Sequence, residues 1–415
     1  MELDSALPER GRPADQLWSE LDQLQAGDVN WRAGRVQGYV YWAGEDLLDV
    51  SKEAYRRFFS SSPLNPKLFP STRALEESIV AMSSRLLSGS ASCGVVTSGG
   101  TESNFLAVLA AREQARTERP SISYPEIVIP ATGHPSFNKA AHLLGLRVVR
   151  VPVTSSFAAD PDGMRRAVTS NTVLLVASAP SYTHGVLDPV GEVAAIGAAS
   201  GIPVHVDACV GGFVLPFLAQ LGTSVPDWDF RLPGVTTISA DLHKHGYTAR
   251  GTSVLLHGTA GRDRLHSFEF ADWPNGRYFT RVFGGSRPGG VLASAWAVMN
   301  HLGAEGYRRV VAESMRLTQR LQAGIVAIAD LEILGRPIMN KFGYRSRALD
   351  ITAVADGLEA AGWAVGRQAR PPAINAHVLP VHKDSIDQYL ADLASAVDDV
   401  VSGRRTTAGK EAAYN

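Results

Sequence analysis

The feature that most constrains the fold is a regular alternation of short apolar runs and helical patterns from about residue 92 onward. The runs are continuous and rich in β-branched residues, as in CGVVTS, EIVIPA and TVLLVAS, and most are followed by a helical pattern. Strands of this kind are buried on both faces. The pattern predicts an α/β fold in which helices cover a mostly parallel, seven-stranded sheet. In such sheets the functional groups gather at the C-terminal ends of the strands.

The length of 415 residues exceeds the usual size of one core, so more than one unit is expected. A long helical tract follows the alternating region and is expected to break near Gly303 to Gly306, with an α+β pattern beyond it. The predicted units are an N-terminal segment, a large domain, a small C-terminal α+β domain and a disordered tail, at residues 1–60, 61–300, 301–403 and 404–415.

Composition excludes several classes of function. The net charge is −1, with 40 basic and 41 acidic residues, so no basic field indicates a nucleic-acid partner. The first residues lack the pattern of a signal peptide, and no apolar run is long enough to span a bilayer. Cys93 and Cys209 lie in apolar stretches, which favours buried thiols over a disulfide framework or a metal site. We therefore expect a cytoplasmic protein without a membrane anchor or a metal, acting on a small molecule.

The stretch VTSGGTES, at residues 96–103, combines a strand end, a Gly-Gly turn and a helix start at Thr101 or Glu102. The free backbone N–H groups and the helix dipole at such a start suit a phosphate. A tight strand-to-helix turn with Thr101 as its N-cap explains the stretch equally well.

Three further strand ends carry side chains that suit an aromatic aldehyde. Asp207 ends one strand, where a buried carboxylate needs a cationic partner such as a protonated ring nitrogen. His134 follows another and can stack on a flat ring, or simply cap the next helix. Lys244, between His243 and His245, can form an imine with an aldehyde, although many such lysines are solvated turn residues.

Taken together, these features match the contacts that pyridoxal 5′-phosphate requires: a phosphate site, a stacking ring, an aspartate for the pyridine nitrogen and a lysine for the aldehyde. Each feature is weak alone. The interval from Asp207 to Lys244 leaves room for a connecting segment and one more strand. The combination therefore predicts a pyridoxal-phosphate site.

The sequence resembles the fold type I pyridoxal-phosphate enzymes of the group II decarboxylase branch, and within it most closely the sphingosine-1-phosphate lyases. The resemblance covers roughly residues 36 to 310 and is carried by the stretches VYWAGEDLLDV, SPLNPKLFPSTRALEESIVAM, GVVTSGGTESN, HGVLDPVGEV, PVHVDACVGGFVLPF, DLHKHGYTARGTSVLLH and FGGSRPGGVLASAWAVMNHLGAEGY.

This resemblance implies a role for each site residue. The implied catalytic residues are Lys244 (the Schiff-base lysine), Asp207 (the pyridinium partner), His134 (the stacking ring), Tyr182 and His184. The implied cofactor contacts also include Gly100, Thr101, Ser178, His243 and, from a neighbouring subunit, Ser286. That last contact implies a homodimer with shared active sites, on which the N-terminal segment packs. The implied substrate contacts are Tyr41, Ser62, Asn65, Arg250 and Arg287; Arg287 is alternatively a surface or interface charge.

Several positions depart from the family pattern on the substrate side. Ser62-Pro63-Leu64-Asn65 stands where these lyases carry Asn-Pro-Leu-His, Arg250 replaces a lysine and His245 replaces a tyrosine. Because these groups orient the substrate, the bond that the enzyme breaks is not determined by the resemblance. Retro-aldol cleavage of a β-hydroxy amine, either a phosphorylated amino alcohol or a β-hydroxy amino acid, is expected first. The alternatives are amino acid α-decarboxylation, a specialised biosynthetic reaction on the same scaffold, and a non-catalytic cofactor-binding module.

Overall fold

The computed structural model describes residues 5–89, 93–407, 409 and 412. Parts of the predicted N-terminal segment and of the predicted disordered tail lie outside the described residues, at 1–4, 408, 410, 411 and 413–415. The prediction of disorder in the tail is therefore left as a prediction.

The described chain contains the alternating strands and helices predicted from residue 92 onward, together with helices at 45–57 and 215–220 and strands at 268–270, 278–280 and 341–346 that the sequence pattern did not indicate. The helices are α1 (Ala14–Gln25), α2 (Glu45–Arg57), α3 (Pro70–Leu86), α4 (Gly100–Glu118), α5 (Ser136–Leu144), α6 (Pro161–Ala167), α7 (Val190–Ser200), α8 (Leu215–Gln220), α9 (Gly289–Ala327), α10 (Ile351–Ala360) and α11 (Ile386–Val401). The strands are β1 (Gly94–Thr97), β2 (Glu126–Pro130), β3 (Arg147–Val151), β4 (Thr172–Ser178), β5 (Val204–Asp207), β6 (Val235–Ala240), β7 (Ser253–His257), β8 (Phe268–Phe270), β9 (Tyr278–Thr280), β10 (Leu331–Ile333), β11 (Lys341–Ser346), β12 (Gly366–Ala369) and β13 (Pro372–His377).

The large sheet has seven strands in the order β1-β7-β6-β5-β4-β2-β3. Strands β6, β5, β4, β2 and β3 run parallel, and β7 runs antiparallel to both of its neighbours. Every residue of β1, β2, β4, β5 and β7 is buried, which explains why these strands read as continuous apolar runs. The predicted mostly parallel, seven-stranded α/β fold is confirmed.

The segment between Asp207 and Lys244 contains α8 and β6, which agrees with the prediction of a connecting segment and one more strand there. Helix α4 begins at Gly100, one residue before Thr101 and two before Glu102, the two starts that the sequence pattern indicated. Helices α5 and α7 both end at a glycine in the left-handed conformation, Gly145 and Gly201, which a residue with a Cβ adopts less readily.

A second, four-stranded antiparallel sheet in the order β10-β11-β13-β12 packs with α10 and α11 around a separate hydrophobic cluster. Helix α9 connects the two cores, since Val298 belongs to the first cluster and Leu321 to the second. Gly303 interrupts α9 with φ 54° and ψ −178°, as the sequence indicated. The exact domain boundaries stay a prediction.

Within the described ranges, no helix combines the length and the apolar character needed to cross a membrane. The same residues contain no group of three or more His, Cys, Asp or Glu side chains placed to hold a metal ion. Cys209 is buried, whereas Cys93 is only half-buried, and neither cysteine forms a disulfide.

Candidate active site

One cavity of about 290 Å³ lies at the C-terminal edge of the parallel strands. Strand β1 leads into it through the turn before α4, β4 and β5 end at it, and β6 is followed by the segment that carries Lys244. Parallel strands bring their carboxyl ends to one edge, so residues far apart in sequence meet there. The predicted site residues that line this cavity are Gly100, Thr101, His134, Ser178, Tyr182, Asp207, His243, Lys244 and Arg250.

Asp207, the last residue of β5, is buried and held by hydrogen bonds. Its Oδ1 accepts from the backbone N–H of Cys209 at 3.1 Å, and its Oδ2 accepts from Nδ2 of Asn104 at 3.2 Å. Burial opposes ionisation, but nearby His134 and the hydrogen bonds from Cys209 outweigh it and lower the pKa of Asp207. The carboxylate is therefore charged at neutral pH and can pair with a protonated ring nitrogen.

Asn104, which the sequence analysis did not single out, orients this carboxylate from α4. Its Oδ1 lies 3.1 Å from Nε2 of His205, and its Nδ2 also donates to Oγ of Ser136 at 2.9 Å. The Ser136 hydroxyl in turn lies 2.9 Å from Nδ1 of His134. One amide thus couples the aspartate to the predicted stacking ring. The only sequence signal was its place in the first turns of the helix that follows the Gly-Gly turn.

Lys244 pairs with Asp241, a second residue that the sequence analysis missed. Its Nζ lies 2.9 Å from Oδ2 of Asp241, which is 2% exposed. Burial of Lys244 opposes protonation, but Asp241 outweighs it and raises the pKa of the lysine well above its usual value. Oδ1 of Asp241 is buried without a hydrogen-bond partner among the described residues. The available sequence signal was that Asp241 precedes Lys244 by three residues in the stretch ADLHK.

The start of α4 has the backbone arrangement that the predicted phosphate site requires, and its role stays a prediction. A Cβ on Gly100 would lie 2.5 Å from Sγ of Cys209 and 2.9 Å from Oδ1 of Asp241, so only glycine fits. The imidazole of His243 approaches Gly99, since its Cε1 lies 3.3 Å from where a Cβ would stand. The first backbone N–H groups of this 19-residue helix have no intrahelical acceptor and carry its positive dipole end.

Arg250 lines the cavity, Tyr41 lies next to Arg250, and His184 lies outside the cavity. The Arg250 guanidinium is 5.6 Å from the ring centre of Tyr41, and that ring makes edge contacts with His245 and His377. His184 lines a neighbouring cavity rather than this one. Burial, reinforced by a nearby lysine, lowers the pKa of His184 to about 4, so its imidazole is neutral at pH 7.

Besides Tyr41 and His184, four further predicted residues do not line the cavity within one chain. Oγ of Ser62 lies 3.2 Å from Oγ of Ser286, and Asn65 accepts hydrogen bonds from two backbone N–H groups that follow it. Arg287 pairs with Glu76 at 3.2 Å, which favours the structural alternative for this arginine. The cofactor and substrate roles of these residues stay predictions.

The model of the family described as pyridoxal-dependent decarboxylase conserved domain matches residues 3–346. The chain belongs to this family. It is 38% identical to a sphingosine-1-phosphate lyase of Oryza sativa over 408 residues, which cover 96% of this chain and 75% of that protein. It is also 34% identical to a probable L-tyrosine/L-aspartate decarboxylase of Methanothermobacter thermautotrophicus over 366 residues, 88% of this chain and 98% of that protein.

A solved sphingosine-1-phosphate lyase of Burkholderia pseudomallei superposes with a TM-score of 0.93 at 37% identity, covering 97% of this chain and 94% of that structure. This likeness confirms the fold type I architecture. As a member of the decarboxylase family, the chain is a pyridoxal 5′-phosphate-dependent lyase.

The cavity fits this cofactor. The crowding at Gly100 leaves backbone rather than side chain facing a phosphate, the unpartnered Oδ1 of Asp241 sits beside Lys244, and the charged Asp207 suits a pyridinium nitrogen. His134 lines the same cavity and offers a flat ring. When bound there, the cofactor supplies an electron sink for cleavage of a bond at the substrate Cα.

Proposed function

We propose that this enzyme cleaves the Cα–Cβ bond of a small-molecule β-hydroxy amine by retro-aldol chemistry and releases an aldehyde. The observation that carries the proposal is the single cavity shared by Lys244, Asp207, His134 and the start of α4. It is supported by the similarity to proteins named sphingosine-1-phosphate lyase, which covers 96% of the chain for the rice protein and 97% for the Burkholderia structure.

In this proposal each residue has one task. The ε-amino group of Lys244 holds the cofactor aldehyde, and the charged Asp207 keeps the ring nitrogen protonated. His134 would support the face of the ring, Ser178 would contact the cofactor, and the start of α4 with His243 would hold the phosphate. Ser286 of the partner subunit would add a further phosphate contact.

Retro-aldol cleavage also needs a base for the β-hydroxyl proton. Tyr182 lines the cavity beside His134, with ring centres 6.3 Å apart, and His184 follows two residues later. His184 is neutral at pH 7 because burial lowers its pKa to about 4, but its ring nitrogens are engaged by Oγ1 of Thr183 at 2.8 Å and Nε2 of Gln368 at 3.1 Å. We therefore assign the hydroxyl proton to Tyr182 and a positioning role to His184. The far end of the substrate is assigned to Tyr41, Ser62, Asn65, Arg250 and Arg287.

The second candidate is an amino acid α-decarboxylase. It is favoured by the position of Arg250 on the cavity wall, where a guanidinium can bind a carboxylate, and by the similarity to the probable decarboxylase. Since orientation decides which Cα bond breaks, the same cofactor residues serve both reactions.

We further propose a cytoplasmic homodimer with shared active sites. The apolar side chains of Phe59, Leu68 and Phe283 are 73%, 66% and 80% exposed, and they lie in the segments that carry Ser62 and Ser286. Exposed apolar groups of this size are typical of subunit interfaces. Two cysteines without a disulfide suit a reducing compartment.

The test is incubation of the cofactor-loaded enzyme with a sphingoid base phosphate and a panel of β-hydroxy amino acids. Release of an aldehyde is expected, and carbon dioxide without aldehyde would favour the decarboxylase. Lys244→Ala is expected to abolish the borohydride-fixable cofactor and most turnover. Bound cofactor without any product from the panel would support the non-catalytic alternative instead.

A further inference from the structure

His205 is a buried histidine on β5, the strand that ends at Asp207. The two residues are two positions apart, so their side chains point to the same face of the sheet. The imidazole of His205 is fully buried, and His205 is not among the described residues that line the cofactor cavity. Any part that this ring plays in the chemistry therefore acts through its hydrogen-bond partners.

The side-chain amide of Asn104 connects this imidazole to Asp207. Its Nδ2 lies 3.2 Å from Oδ2 of Asp207, and its Oδ1 lies 3.1 Å from Nε2 of His205. An ionised carboxylate only accepts hydrogen bonds, so the end of the amide that faces Asp207 has to be the NH2 group. The amide oxygen also only accepts, and it therefore requires a proton on Nε2 of His205.

The protonation state of His205 agrees with this requirement. Burial lowers the pKa of His205 to about 4, against the opposing effect of Asp207, so the ring is neutral at pH 7 and carries one proton. With that proton on Nε2, the bare Nδ1 accepts a hydrogen bond from Oγ1 of Thr237, which lies 2.8 Å away. The tautomer of His205 and the orientation of the Asn104 amide are thus fixed together.

The reverse arrangement opposes the charge of Asp207. If Nδ1 of His205 carried the proton, the bare Nε2 would attract the amide NH2 group, and the amide oxygen of Asn104 would turn toward the carboxylate. Two buried oxygens in contact without a proton between them are unfavourable. Oγ of Ser239 reinforces the observed direction, since it lies 3.3 Å from Nε2 of His205 and 3.4 Å from Oδ1 of Asp207, where it accepts from the ring and donates to the carboxylate.

We propose that His205 is a positioning residue for the contact between Asp207 and the ring nitrogen of the cofactor. Its Nε2–H group holds the Asn104 amide with the NH2 group toward Asp207, and this amide in turn stabilises the charged carboxylate. The inference rests on the role assigned to Asp207 in the proposed function, and it does not depend on which Cα bond of the substrate is broken.

The experiment compares two cofactors that differ at one ring atom. Cofactor-free protein is titrated with pyridoxal 5′-phosphate and with the carbocyclic analogue in which C–H replaces the ring nitrogen, and binding is followed by absorbance. The wild type is expected to prefer pyridoxal 5′-phosphate, because the analogue cannot pair with Asp207. The ratio of the two dissociation constants reports this contact, whereas a general loss of packing changes both constants alike.

His205→Leu removes the donor and is expected to lower the preference about tenfold, the size of one charge-assisted hydrogen bond. His205→Phe keeps a planar ring and carries the same test if the leucine variant folds poorly. Asn104→Leu should have the same effect, and the double variant should be no worse than either single one, because both act through one amide. His205→Gln keeps an N–H donor and should retain most of the preference. His257→Leu is the matched control, since it removes a buried histidine of β7 whose Nε2 lies 3.0 Å from Nε2 of His266.

An unchanged preference in His205→Leu, an equal loss of affinity for both cofactors, or additive losses in the double variant would overturn the positioning role. Asp207→Asn is measured in parallel. An unchanged preference in that variant would contradict the role of Asp207 in the proposed function itself. A preference that falls in Asp207→Asn but not in His205→Leu would contradict the inference alone.

Discussion

Asp207 is buried and Lys244 is half-buried, and the charge of each depends on one or two specific neighbours. Asp207 is ionised because His134 and Cys209 compensate for its lost hydration, and Lys244 is protonated because Asp241 lies 2.9 Å away. Removing one partner of such a pair leaves an uncompensated charge. At the scale of single residues, function is therefore most sensitive to substitutions that change charge and conserve shape.

Asp207→Asn conserves shape and removes the charge that would keep the ring nitrogen protonated. We expect turnover to fall by about 100-fold or more, the usual cost of losing one fixed electrostatic contact in an active site. Steady-state kinetics and the cofactor spectrum measure the effect. Asp227→Asn, at an exposed surface position, is the control, and equal turnover in the two variants would exclude Asp207 from the chemistry.

The lowered pKa of Lys341 leads us to expect a pH-dependent contribution of this residue to the free energy of unfolding. Burial, with a smaller effect from Lys244, lowers the pKa of Lys341 from 10.5 to about 7. Between these values the unfolded chain binds the proton and the folded chain does not. The stability contributed by this group is therefore present above pH 10.5 and is lost as the pH falls toward 7.

We expect the free energy of unfolding of the wild type, relative to Lys341→Met, to rise by about 1.4 kcal/mol per pH unit across this interval. Urea unfolding of both cofactor-free proteins at several pH values measures the difference. A pH-independent difference would show that Lys341 keeps its ordinary pKa in the folded protein.

At the scale of elements, the site is assembled from strand ends and one helix start. Strands β4 and β5 contribute their last residues, and α4 contributes its first backbone N–H groups. The close packing of Gly100 against Cys209 and Asp241 holds this helix start near Lys244. The position of the backbone at the start of α4, rather than any side chain there, therefore determines whether a phosphate can bind.

Gly100→Ala is expected to weaken cofactor binding severalfold, because the added methyl group must displace Cys209 or Asp241. Gly191→Ala is the matched control: this glycine also lies in the first turn of a helix, but its nearest neighbour would be 3.8 Å from the new Cβ. Cofactor titration followed by absorbance compares the two. Equal affinities would remove the start of α4 from the phosphate site.

At the scale of the whole molecule, the small sheet reaches toward the cofactor cavity. Lys341 on β11 pairs in register with His377 on β13, and Nε2 of His377 lies 2.9 Å from Nε2 of His245, next to Lys244. The C-terminal unit therefore contributes groups that surround the site. Assembly into a dimer would add further groups at the exposed apolar segments near Ser62 and Ser286.

Phe283→Asp is expected to weaken the proposed dimer and to lower activity at dilute enzyme, because a charge would replace an apolar side chain that is 80% exposed in one chain. Tyr124→Asp, at a side chain that is 81% exposed elsewhere, is the control. Sedimentation and activity are measured over a range of concentrations. A monomeric wild type with full activity would contradict shared active sites.

Much of the fold and of the cofactor side was predictable from local patterns. Continuous apolar runs predicted the strands of the large sheet, and the chemistry at the strand ends predicted that Asp207, His134 and Lys244 line one cavity. Asn104 and Asp241, which contact Asp207 and Lys244, were missed because their local signals were weak. Lys341 was missed because a lysine in a strand gives no local sign of its long-range partner.

The sequence by itself determined the strands of the large sheet and the set of residues suited to a pyridine ring, an aldehyde and a phosphate, since periodicity and strand-end chemistry are local properties. Only the tertiary structure decided that Arg287 pairs with Glu76 and that Lys341 lies against Tyr182. These are contacts between segments distant along the chain, such as His245 and His377, 132 residues apart. They arise from packing of the two sheets, which no single segment encodes.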